Sequence, residues 1–282
     1  MKNIRLLAII NFWAFLIHVA FVYLTRIKMI NDVDTAEMSY RHPTLFTPAP
    51  ITFSIWALIY LLLLILCIYH IITAFKYPDT HIANVHTYRM GELFILCNLA
   101  TAAWLYCWTH GGLEISLGLI GFQFILLLVI HMRLHIYDRD TTVASKIFTQ
   151  LPLSIWFAWI CVATIANGAV YLTAIGWGGM GLTTVQWTEA LIGLAVFIGI
   201  CFILGRRNIF FGLVVLWALC GIILERTKGG APDYPGIVLA AEAGLVLTAI
   251  ACLIQLARNI SFRRHHLRRH YPLFPEAPHP LK

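Results

Sequence analysis

Apolar stretches long enough to cross a bilayer recur from one end of this chain to the other. Eight can be drawn, at roughly 5–25, 51–75, 92–109, 114–135, 152–174, 188–205, 209–225 and 236–257. A transmembrane helix needs about 17–25 apolar residues, whereas a barrel strand needs only about ten. Backbone groups in lipid have no water to bond, so only helices and closed barrels span, and the length of these runs selects helices. Charged residues make up 12% of the chain and hydrophobic ones 60%, about half the charge with which a soluble domain covers itself. The expected fold is all-α, a polytopic transmembrane helical bundle of about eight spans.

Charge sets the orientation. With the N-terminus in the cytoplasm, fifteen Lys and Arg fall on the inner side and five on the outer side, these being Arg26, Lys28, Arg41, Arg226 and Lys228. Positive residues favour the inside, so the N- and C-termini are both expected to be cytoplasmic, in a multi-pass protein of the cell membrane. The short break Arg206-Arg207-Asn208 between spans six and seven leaves room for a seven-span count, but that would put one terminus outside. The net charge of +7 is not a nucleic-acid signature, because six basic residues lie in the last 25 positions, where they meet anionic lipid headgroups. The seven cysteines fall mostly inside apolar runs and read as small buried hydrophobes, not as a disulfide framework. The first run lacks a small-residue cleavage site and is expected to stay in the mature chain.

Two outer loops hold more than a reversal of direction. Residues 26–50 carry Asp32, Asp34 and Glu37, then Arg41-His42-Pro43-Thr44-Leu45-Phe46-Thr47-Pro48-Ala49-Pro50. The prolines hold the backbone extended ahead of the second span. A long loop at the mouth of a bundle serves either as a lid or as a mobile connector. The other loop is Gly176-Trp177-Gly178-Gly179-Met180-Gly181. Its glycines allow positive φ and Trp177 suits an interface anchor, so a plain turn is expected.

No soluble-enzyme motif appears: the chain has no phosphate-binding loop, dinucleotide fingerprint, HExxH or CxxC. His131 and His135 stand at i, i+4, a spacing at which two imidazoles on one helix can share a metal or a haem. Interfacial polar residues are the plainer reading of that pair, and no metal site is expected. His265, His266 and His270 lie in the accessible tail. Polar groups inside spans are costly unless paired and are functional candidates by default. Glu242 is such a group, roughly 9 Å into the last span at 1.5 Å per residue. Asn98, Asn167, Gln123 and Gln255 are others, with interhelical hydrogen bonds as the plain alternative. Phe53, Trp56 and Tyr60 share one stripe of span two, and Trp156, Ala163 and Asn167 share one of span five.

Three segments carry a family resemblance. Phe46-Thr47-Pro48-Ala49-Pro50-Ile51-Thr52-Phe53-Ser54-Ile55-Trp56-Ala57-Leu58-Ile59-Tyr60 resembles the start of the second helix of the translocator protein family, the tryptophan-rich sensory proteins (TspO/MBR). Leu151-Pro152-Leu153-Ser154-Ile155-Trp156, continuing to Asn167, is similar to that family's fifth helix. Asn98 with Trp104 and Trp108 resembles its third. The family's usual Trp-x-Pro-Pro is replaced here by Phe46-Thr47-Pro48-Ala49-Pro50. The resemblance covers residues 1–174. It implies a five-helix bundle there, followed by a three-helix C-terminal membrane extension at 175–257 and a basic cytoplasmic tail at 258–282.

What the resemblance implies for function is a binder or sensor, not an enzyme. A pocket closed by the first loop would take a hydrophobic ligand such as a porphyrin, a haem-related tetrapyrrole or a sterol, with no cofactor required. Carried over by position, the pocket residues are Trp56, Tyr60, Asn98, Trp156, Ala163 and Asn167. Trp56 lies near the outer end of its span and Trp156 near the inner end of its own, which only a deep cavity or a large ligand reconciles. The partners expected are the lipid bilayer, a hydrophobic small molecule and a second copy of the chain in a homodimer, with no nucleic acid. A permease using Glu242 and a membrane haem enzyme using His131 and His135 are the competing expectations.

Overall fold

Eight helices long and apolar enough to cross a membrane are present in the computed structural model, which describes residues 3–137, 141–230 and 233–270, with side chains to residue 261. Helix α1 (Ile4–Arg26) opens on Asn3, whose side chain accepts from the Arg5 and Leu6 amides. The first loop then folds a short helix, α2 (Thr35–Arg41), behind a capping box in which Asp34 and Glu37 bond each other's backbone N–H. A 3₁₀ turn, Pro50–Ser54, leads into α3 (Ile55–Lys76). The tight α4 (Ile82–Thr109) to α5 (Leu113–Leu134) hairpin turns at Gly111, with φ of 79°. A single turn, α6 (Val143–Ser145), passes through a π-helical stretch, Lys146–Gln150, into α7 (Leu151–Ala174). Helices α8 (Thr184–Arg206), α9 (Ile209–Thr227) and α10 (Pro235–His270) complete the chain.

Three boundaries differ from those read in the sequence. Span three is longer, because a helical segment from Ile82 precedes Gly91, whose φ of 51° and ψ of −139° break the helix before Glu92. Glycine carries no Cβ and so takes that conformation without steric cost. Span five starts earlier, at Val143. The tail begins as a continuation of α10 to His270, while the side chains of His265, His266 and His270 lie outside the described residues. The expected break between spans six and seven holds: Arg207 takes a left-handed C-cap, and Asn208 both accepts from the Phe211 amide and donates to Ser154 at 3.0 Å.

The first five spans close a ring in which α1 packs on α4, α4 on α5, α5 on α7 and α7 on α3, with α3 returning to α1. Helices α8, α9 and α10 pack on one another and join the ring chiefly where α9 meets α7. The two groups share one core. Phe157 of α7 meets Phe202 of α8 at 5.2 Å and Phe211 of α9 at 5.7 Å between ring centroids, and the buried cluster runs from Phe15 to Ala241. The change of partners near residue 175 is therefore not a boundary between cores.

Polar groups within the spans are mostly paired, as a medium without water requires. His18 of α1 donates from Nδ1 to the Asn98 Oδ1 of α4 at 3.0 Å, and the Asn98 amide donates to its own helix at the Phe94 carbonyl. Thr101 donates to Gln123 at 2.9 Å across α4 and α5. His70 of α3 joins Thr87 of α4 at 2.6 Å and Thr149 ahead of α7 at 2.9 Å.

Candidate functional site

A hollow opens between α3, α4, α7 and α9 on the side of the membrane that carries the first loop. Its aromatic wall is made by Trp56 of α3, Trp104 and Trp108 of α4, and Trp159 of α7, with Phe53 beside them. The opposite wall is small and aliphatic: Val162, Ala163, Ala166 and Val170 of α7, with Ala218 and Ile222 of α9. The first loop covers it with Thr35, Ser39, Phe46, Thr47 and Pro48. The space amounts to about 630 Å³ with its mouth included, yet only about 50 Å³ of this is wide enough for the centre of a water molecule. It is a slot, narrower than a water molecule over most of its extent.

The rings are held by one another. Trp159 sets its edge against Trp56 at 6.3 Å and against Phe53 at 6.2 Å, and Trp104 stacks on Trp108 at 5.9 Å. Trp108 is also tied to the loop, since its Nε1–H donates to the Thr35 carbonyl at 3.1 Å. Three other wall residues have donors with no protein partner: Trp104 Nε1, Trp159 Nε1 and Asn167 Nδ2. All three residues are at least nine-tenths buried. The Asn167 Oδ1 takes only a long bond of 3.4 Å from Ser116. A buried donor left unpaired costs about 1–3 kcal/mol, so each of these three groups would gain from an acceptor brought within its reach.

A second, wider cleft adjoins the slot and shares Thr35, Phe53, Trp56 and Trp104 with it. It lies between α1 and α3 with α4 as its floor, contains about 1930 Å³ with its mouth included, and is rimmed by Arg26, Asp34, Glu37 and Arg41. Trp56 and Trp104 thus stand between a charged antechamber and an apolar slot.

Of the six residues expected in one pocket, Trp56, Ala163 and Asn167 line the slot, and Tyr60 lines the cleft, stacked on Trp56 at 5.4 Å. Asn98 and Trp156 line neither. Asn98 is consumed by its bond to His18, and Trp156 is fully buried against Phe94 at 5.9 Å, one turn deeper than the slot. Trp159 takes the place expected of Trp156, which removes the mismatch in depth. His131 and His135, whose plainer reading is as interfacial polar residues, sit in different surroundings. The α5 helix ends at Leu134, and His135 is a left-handed C-cap exposed to solvent, while His131 is buried against Phe157 with Nδ1 on the Leu127 carbonyl. Glu242 lies on the exposed face of α10 and lines none of these hollows.

The loop is fastened at both ends. On α4, Asn31 donates to the Thr109 carbonyl. On α9, the Ala49 amide donates to the Gly221 carbonyl at 2.9 Å, and Trp217 Nε1 donates to the Thr52 carbonyl at 2.9 Å. Tyr40 of α2 donates to the Pro48 carbonyl at 3.0 Å. Burial, with Glu225 of α9 nearby, pushes the Tyr40 hydroxyl up to about 12. None of these α9 contacts was visible in the sequence, where Ala218, Gly221 and Ile222 read as ordinary span residues.

Searches among curated proteins and among solved structures found no match. A family model described as TSPO-like protein matches residues 8–254. Spans six to eight, expected to lie beyond the family's five-helix core, fall within that match. It runs from the first span to the last, and it agrees with the Trp-bearing segments and the slot between them: the chain is a multi-pass membrane protein of the TSPO-like family.

Proposed function

We propose that the chain binds a hydrophobic ligand of the tetrapyrrole class in the tryptophan-lined slot, as a sensor without turnover, with the first loop as its lid. The observation that carries this reading is the wall itself: four indoles around a narrow apolar space, with unpaired N–H groups on Trp104, Trp159 and Asn167. A flat macrocycle offers faces for the indoles and carboxylates for the donors. The excess of positive residues on one side supports placing both termini in the cytoplasm and the loop outside, in the cell membrane.

Titration of purified protein with protoporphyrin, read by tryptophan quenching, tests the proposal. A Trp56→Ala/Trp159→Ala double variant is expected to lose saturable quenching, while Trp13→Phe, on the exposed face of α1, retains it. Equal saturable quenching in wild type and the double variant would falsify the assignment of the slot. Transport by way of Glu242 has no support in the geometry, since that carboxylate faces away from the bundle.

A further inference from the structure

At the end of the bundle opposite the first loop, the turn α6 and the π-helical stretch after it lead into α7. Pro152 has no N–H for the Phe148 carbonyl, and the Leu151 N–H bonds Lys146, five residues back. The inward face of residues 143–150 is polar: Ser145, Thr149 and Gln150 are each fully buried, while Val143 and Ile147 point outward, 68% and 47% exposed. Phe148 adds a ring contact with Tyr69 of α3 at 5.0 Å. Apolar burial therefore does little to dock this segment, and hydrogen bonds decide where it sits.

Two buried imidazoles make those bonds. His70 of α3 meets Thr149 Oγ1 at 2.9 Å through Nε2, and His86 of α4 meets Ser145 Oγ at 3.2 Å through Nδ1. The His70 proton can be placed. Thr87 donates its hydroxyl hydrogen to the Ala83 carbonyl, so it accepts from His70 Nδ1–H. Nε2 is then the lone-pair nitrogen, and Thr149 donates to it. This arrangement requires a neutral ring. A second proton, on Nε2, would turn Thr149 from donor to acceptor and leave its hydroxyl hydrogen to find another partner.

The surroundings do not favour a charged ring. Arg89 is the charge that acts on His86, and His86 is the group that acts on His70. The other described basic groups at this end are Arg5 of α1, Lys76 of α3, His81 of α4, Arg133 of α5 and Lys146 of the segment itself. Tyr69 and Tyr77 of α3 are its phenols, and the carboxylates of Asp79 and Glu92 belong to exposed residues. The partners of both rings are hydroxyls, and a buried imidazolium without a counter-charge is costly.

We propose that residues 143–150 form an acid-released latch: proton uptake by His70 and His86 breaks their bonds to Thr149 and Ser145 and undocks the segment from α3 and α4. The latch is separate from the slot and independent of the tetrapyrrole reading. On the topology proposed above it faces the cytoplasm.

The test is hydrogen exchange of full-length protein in phosphatidylcholine vesicles, with rates corrected for the intrinsic effect of pH, as pH is lowered from about 8 to about 4. Protection of residues 143–150 is expected to fall about tenfold, the loss expected for two hydrogen bonds, while that of α5 stays constant. A His70→Gln/His86→Gln variant, which keeps donors and acceptors without the titration, should hold its protection across the range. If that variant is already undocked at pH 8, nitrogen NMR of the wild-type imidazoles decides: His70 should carry its proton on Nδ1 at pH 8, and the charged forms of both rings should appear in step with the loss of protection. Protection in wild type that ignores pH, a step that survives in the docked double variant, or opening while both rings stay neutral overturns the proposal.

Discussion

The amide of Ala49 and the carbonyl of Gly221 are joined at 2.9 Å, so the end of the first loop rests on a helix more than 160 positions later in the chain. Nothing larger than glycine fits at that seat. A Cβ on residue 221 would overlap the Thr52 hydroxyl, approach Thr52 Cγ2 to 2.8 Å and Pro48 Cβ to 3.0 Å. Gly221→Val is therefore expected to lift Pro48–Thr52 off α9, at about 1–3 kcal/mol for the overpacking. Hydrogen exchange should accelerate at the Ala49 amide and its neighbours while that of α5 is unchanged. Unaltered exchange at Ala49 would show that the loop is held elsewhere.

Asn167 should separate stability from binding. Its Nδ2 has no protein partner and its Oδ1 only a long one. Asn167→Leu removes the unpaired group and is expected to raise the thermal stability of the empty protein, by about 1 kcal/mol. The same change should weaken protoporphyrin quenching. Thermal unfolding with and without protoporphyrin checks both; a destabilised empty variant would mean that the Ser116 bond matters more than the missing one.

His70 holds three helical segments through Thr87 and Thr149. Thr87 has another acceptor in the Ala83 carbonyl, whereas no other bond of the Thr149 hydroxyl replaces His70 among those described. His70→Leu is expected to destabilise the bundle by about 1–3 kcal/mol, with Thr149→Val largely non-additive to it. Denaturation of the two single variants and the double variant, as a cycle, measures the coupling.

Acid should loosen the first loop. The Glu37 carboxylate accepts from the Asp34 amide at 2.8 Å and from Lys28 at 3.0 Å, and these bonds, in that order, hold it below its ordinary value of 4.5. A carboxyl with a depressed folded-state value contributes stability above its unfolded value and loses it as pH falls through the folded one. Protection of residues 35–41 is thus expected to be flat above about pH 4.5 and to fall below it. Glu37→Gln keeps an acceptor for the cap without the titration, so its profile should lack that step.

The spans were legible in the sequence because hydropathy acts locally, residue by residue, on whichever helix carries it. The phase of α7 was not. Every residue from Pro152 to Val162 is buried, so no lipid-facing stripe marks which side looks inward. Trp156 and Trp159 then compete for the same role, and both fit a helical stripe with Ala163. Trp159 wins because it sits on the turn that faces Phe53 and Trp56. His18 and His70 did carry a signal, being ionisable side chains inside spans, and both proved to bind helices together. The role of α9 had none, since a seat made of glycine and a wall made of Ala218 and Ile222 depend on what lies opposite them in space.

Because α9 supplies that seat and wall, the slot is unfinished while the chain is being made. A nascent polypeptide that has inserted its first five spans still lacks one side of the slot and the anchor for its loop. On the proposed reading, ligand capture follows synthesis of the seventh span, and truncations ending before Ile209 are expected to insert into membranes yet show no saturable protoporphyrin quenching.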